Sequence, residues 1–138
     1  MTIVQTQTTS FKKELYQGIH DLSTDTIKIA LYTASADLNA ATTAYSSTNE
    51  VVATGYTAGG QVMTGVAIST DGYTAYVNWS NVAWTSALTA RCALIYNASK
   101  ANRSVAVLDF GSDKTSTTTF TITMPANTST TALIRSSN

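Results

Sequence analysis

The chain has one cysteine, one proline, one histidine and seven glycines in 138 residues, and only 12% of it is charged. Each scarcity excludes something. A single cysteine, Cys92, cannot form a disulfide within the chain, and a cysteine-rich zinc site is excluded with it. It lies in RCALIYNA, which alternates like a strand, and reads as a small buried hydrophobe. No apolar run approaches the ~20 residues that a membrane-spanning helix needs, so no membrane partner is expected. Eight basic and eight acidic residues are scattered along the chain and sum to zero. No basic stretch can neutralise a row of phosphates, and no nucleic-acid partner is expected. The opening MTIVQTQTTSFKK lacks the charged-then-apolar order of an export signal, so synthesis in a cytoplasm is expected.

Catalytic side chains are equally sparse. A Ser-His-Asp triad would have to use His20, yet no serine sits in a GxSxG elbow. Beside Asp21 near the end of a predicted helix, His20 reads instead as a macrodipole partner or an exposed side chain. HExxH and CxxC are absent, which leaves no zinc motif. Asp37, Asn39, Asp71, Asp109, Asp113 and Asn127 fall in or near predicted loops, but no DxDxDG-type calcium loop contains them. Asp109 and Asp113 flank a turn, where aspartate bonds the backbone in any case. The expectation is no enzyme, no cofactor and no metal. Sequons at Asn78, Asn97, Asn102 and Asn127 are what chance gives in a chain this rich in Ser and Thr.

Hydroxyls are what the chain does have: 26 Thr and 15 Ser. Threonine is β-branched and suits a pleated surface. With so few charges, the exterior is neutral and polar, which suits contact with other protein copies because little charge must be desolvated.

Residues 1–10 have no period and read as a polar, flexible arm. SFKKELYQGIHDLS follows, with Phe11, Leu15 and Ile19 at helical spacing, predicting one helix of about three turns over residues 11–22, with Ser10 as its cap. From Thr26 the period becomes 2. In TIKIALYT, Ile27, Ile29 and Leu31 share one face while Lys28 and Tyr32 take the other, a half-buried strand. Residues 34–47 read as loop. VMTGVAIST and YTAYVNWSNVAW around Asp71–Gly72 signal a hairpin. RCALIYN, SVAVLDF, a turn at GSDKTS, TTTFTITM closed by Pro125, and ALIR complete seven or eight short strands. The fold class is therefore mainly all-β: one antiparallel β-sandwich or barrel-like domain over residues 11–138, with one short N-terminal helix and the polar arm.

Gly55, Gly59, Gly60 and Gly65 cluster in NEVVATGYTAGGQVMTG. A phosphate loop would need GxxxxGK[ST] or GxGxxG opening a helix. Here Gln61 stands where the lysine belongs and a strand pattern follows. Gly55, Gly59 and Gly60 thus predict a tight structural turn with positive φ. Tyr73, Tyr76, Trp79 and Trp84 form a candidate interaction surface in one predicted strand segment, Tyr73 sharing a face with Trp79 and Tyr76 with Trp84. At least one tryptophan is expected in the core.

FKKELYQGIHDLSTDTIKIALYTASADLN, then EVVATGYTAGGQVMTG, then ALIYNASKANRSVAVLDFG, resembles a family of small virion structural proteins of tailed bacteriophages. The pattern runs from residue 11 to about 124. The resemblance implies a capsid decoration, or cement, protein made in the host bacterial cytoplasm and carried on the exterior of the virion head. Its partners would be the major capsid protein and copies of itself, as a homo-oligomer and in particular a homotrimer. A tail, collar or neck component is the rival within the family, and a carbohydrate-binding host-attachment module the rival outside it.

Overall fold

A computed structural model describes residues 2–137. Among them run, in chain order, β1 (Thr6–Gln7), α1 (Thr9–Tyr16), β2 (Ile27–Tyr32), β3 (Gln61–Val62), β4 (Ala67–Asp71), β5 (Thr74–Asn78), β6 (Val82–Trp84), β7 (Thr89–Asn97), β8 (Arg103–Thr115), β9 (Phe120–Ile122) and β10 (Ile134–Ser136). The fold is mainly β with one short helix, as expected, and every pair between named strands is antiparallel. Three sheets form: β1-β8-β7-β2-β3, β10-β5-β4 and β6-β9.

The five-stranded sheet is buried on both faces. On one, Ile27, Ile29, Leu31, Ala93, Ile95 and Val105 pack against side chains from the two smaller sheets and α1, among them Val77, Trp84, Phe120, Ile134 and Phe11. On the other, Ala30, Tyr32, Cys92, Leu94, Tyr96 and Val107 are covered by Ala36 and Leu38 from the long connection after β2. This corrects the half-buried reading of β2. Tyr32, assigned to an outer face, is 1% exposed, because the 33–49 segment folds back over it. Near-continuous burial of both β2 and β7 marks the central strands of a sheet covered on both sides.

The expected free arm is fastened instead. β1 pairs Thr6 with Val107 and Gln7 with Ala106, and Ile3 bridges Leu38. Thr8 is fully buried; its amide donates to the Val105 carbonyl at 3.0 Å and its hydroxyl accepts from the Phe11 amide as the helix N-cap. Thr8, not Ser10, therefore starts the helix. α1 is also shorter than expected. Gly18, at φ +69°, follows the C-cap, its amide bonding the Leu15 carbonyl and that of Ile19 bonding the Glu14 carbonyl. That double bond is a Schellman stop, which ends the helix before Ile19 can extend the predicted stripe. Leu15 turns outward and Glu14 inward.

β8 runs through GSDKT, where a turn was expected. Thr115 still pairs with Thr89 and Lys114 with Ala90. A register shift between Ala90 and Cys92, opposite Gly111 at φ +82°, lets the ladder continue past the glycine as a bulge. The expected VMTGVAIST strand is likewise broken into β3 and β4.

Candidate functional site

The glycine loop closes over the inner end of β2. Gly55, Gly59 and Gly60 all have positive φ (+89°, +96° and +76°), as the turn reading requires. At Gly60 a Cβ would collide with the Ile29 carbonyl of β2, and at Gly55 with that of Thr85 just past β6, so the loop backbone passes its neighbours where no side chain fits. What holds the loop there is Glu50, buried at 7% exposure. Its carboxylate accepts from the Tyr45 hydroxyl at 2.6 Å, the Tyr56 hydroxyl at 2.6 Å and the Gly59 amide at 2.8 Å. The Tyr56 oxygen also accepts from the Leu31 amide at 2.8 Å, and the Tyr96 hydroxyl donates to the Gly59 carbonyl at 2.6 Å. Gly59 is thus held through both its amide and its carbonyl. Tyr45 stacks on Tyr96 with ring centroids 4.8 Å apart.

Burial, reinforced by the neighbouring Glu50 charge, raises the hydroxyl pKa values of Tyr56 and Tyr45, and that of Tyr96 to about 12. These phenols stay protonated at any physiological pH, so Tyr45 and Tyr56 serve as donors to the carboxylate and Tyr96 as donor to the Gly59 carbonyl. The arrangement is a latch, with every oxygen of Glu50 satisfied from inside the fold.

A second polar chain lies under α1 and contains His20. Its side chain is fully buried, contrary to the exposed reading. Nε2 donates to Glu14 Oε1 at 2.8 Å, and Nδ1 accepts from the Asn97 amide at 3.0 Å. Glu14 is bound on its other oxygen by Arg103 at 2.8 Å. Asn97 also donates to Asp25 at 2.7 Å, and Asp25 takes two bonds from Lys100 at 2.8 and 2.9 Å. Burial opposes ionisation of both carboxyls, but the bonds to His20 and Arg103 hold Glu14 below its ordinary value, and those from Lys100 and Asn97 bring Asp25 down to about 2. The sequence signal that finds this chain is weak: Glu14, Asp25, Asn97 and Arg103 are brought together only by the fold.

The candidate aromatic surface divides. Trp79 and Trp84 are 5% and 2% exposed and belong to the core. Tyr73, in the two-residue turn between β4 and β5, is 88% exposed, and Tyr76 is half-buried. The shared-face pairing fails because β5 ends at Asn78 and Trp84 lies in β6, in another sheet. Asn78 and Asn97, two of the sequon residues, are buried.

Among the described residues no three of His, Cys, Asp and Glu gather as a metal site. Asp109 is bound by Arg91 and by the Gly111 amide, Asp71 by the Ser129 hydroxyl, and Asp37 by Asn39 and the Thr2 amide. No helix among these residues is long and apolar enough to cross a membrane. No family model, no curated protein and no solved structure matches the chain.

Proposed function

We propose that this chain is a tailed-phage virion structural protein of the capsid decoration type, which binds the outside of the head and braces neighbouring capsid subunits by burying surface on assembly. It acts without chemistry of its own, as a homo-oligomer. One observation supports this beyond the sequence resemblance. The buried polar groups are spent on internal latches, while large apolar side chains stand out in water: Val52 at 97% exposure, Tyr16 at 95% and Tyr73 at 88%. On a neutral, hydroxyl-rich exterior such side chains suit a protein that completes its packing against others.

Purified particles test the proposal by protein content and location. A decoration protein is present in many copies on the head, and absence from particles removes every virion reading. The tail, collar or neck reading shares the same observation and is separated from the decoration reading by location. Burial of Trp79 and Trp84 takes away the residues that would have stacked on a sugar, so the host-attachment reading retains only Tyr73 and the half-buried Tyr76.

A further inference from the structure

Two clefts meet along the outer side of α1. One, of about 370 Å³, lies between α1 and β10 and is lined by Lys12, Tyr16 and Arg135. The other, of about 480 Å³, opens toward β4 and β5 and is walled by Leu22, Ile68 and Val77. They share Leu15, Ile134 and Ser136 and so form one groove. Its floor is apolar, with Leu15 and Ile68 42% and 55% exposed.

The groove is polarised. Arg91, Lys100 and Arg103 each hold a carboxylate of the same chain, whereas the other lysines, Lys12 among them, and Arg135 do not among the described residues. Among those residues no carboxylate lines the Lys12 and Arg135 end of the groove. The single acid in the lining, Asp21, sits at the far end. An occupant suited to this groove carries an acid next to a large apolar or aromatic side chain, with the acid at the Lys12 end.

The chain displays that combination on its own surface. The β4–β5 hairpin turns at Gly72–Tyr73, between the paired residues Asp71 and Thr74. The Tyr73 ring stands free of its own fold, and Asp71 is exposed, its carboxylate bonded among the described residues by the Ser129 hydroxyl. We propose that the hairpin tip of one copy seats in the α1–β10 groove of the next, with Asp71 between Lys12 and Arg135 and Tyr73 on Leu15. The tip can seat reciprocally, as a two-fold pair, or head-to-tail, as a ring or open string, and the size of the largest species distinguishes the two. Both charges lie at the rim, so the association weakens with added salt. The inference rests on the self-association part of the proposed function, but the contact itself needs only two copies of the chain.

Sedimentation velocity on the full chain, over a range of protein and salt concentrations, tests this. The wild type is expected to associate reversibly. Tyr73→Ala, Asp71→Lys and Lys12→Asp should each weaken association by about tenfold or more. Asp71→Lys combined with Lys12→Asp should recover part of the Asp71→Lys loss, with Arg135 still opposing the new lysine, a rescue that misfolding cannot give. Unfolding transitions matching the wild type confirm that each variant folds. A wild type that stays monomeric, an oligomer indifferent to all three substitutions, or a double variant with no recovery overturns the proposal. Variants that no longer associate yet still bind purified heads leave the decoration reading standing without oligomers. A wild type that forms this contact but is absent from particles retains the contact and removes the virion function.

Discussion

Gly60 and Glu50 secure the same loop by complementary means. The glycine lets the backbone approach Ile29 in a conformation L side chains rarely adopt, and the carboxylate then ties that backbone down. Gly60→Ala should therefore cost about 2–4 kcal/mol, since strain and a backbone collision act together. Gly111→Ala is the control. Its φ of +82° is equally unusual, but no atom lies near the position of the new methyl, so about 1–2 kcal/mol is expected. Urea unfolding of the two variants measures the difference, and equal losses would show that the close approach to Ile29 is unimportant. Asp25 makes a prediction about acid. Its carboxyl titrates near 2 in the fold against 3.8 in a free chain. As pH falls below about 4 the unfolded chain takes up the proton first, so stability contributed by Asp25 is complete above that value and is lost toward pH 2. The loss from this group is at most about 2 kcal/mol. Asp25→Asn should lower stability at neutral pH and flatten its decline between pH 4 and 2. An unchanged slope would mean the Lys100 and Asn97 bonds do not hold the carboxylate in solution.

At the scale of elements, β7 and β8 carry the fold, and their connection is tuned less well than their strands. Ala101 and Asn102 both sit at positive φ, +55° and +57°. Asparagine tolerates this region, whereas alanine does not. Ala101→Gly should stabilise the protein by up to about 1 kcal/mol, read from a shift of the denaturation midpoint at constant slope; a destabilised variant would mean that glycine's unfolded-state entropy outweighs the relief. These elements also show what the sequence could reveal. The alternation of β2 and the β4–β5 hairpin was readable because period and turn residues are local signals. The lid over Tyr32 was not, because residues 33–49 have no period and reveal their role only by covering an otherwise outer face. The same limit hid the Glu50 latch: Tyr45, Glu50, Tyr56 and Tyr96 share neither a segment nor a spacing. Glycine positions in the loop could be read as turns, but not the carboxylate that holds them. α1 is shorter than its apolar spacing predicts for a more specific reason: Gly18, directly after Gln17, is the stop.

Taken as a whole, the molecule directs its strongest polar interactions inward and leaves its surface neutral. The two polar chains, around Glu50 and around His20, tie the loop and the helix to the central sheet. In the proposed role, bracing a shell against outward pressure would rest on these internal ties, with the binding energy drawn from the exposed apolar side chains. Quantitative protein composition of purified particles, combined with immunolabelling of the same particles, tests the proposed role most directly. A decoration protein should be found at on the order of hundreds of copies per particle, in proportion to the repeated positions of the capsid, with label on the head. Absence from particles, or a few dozen copies with label confined to the tail or neck, would contradict it.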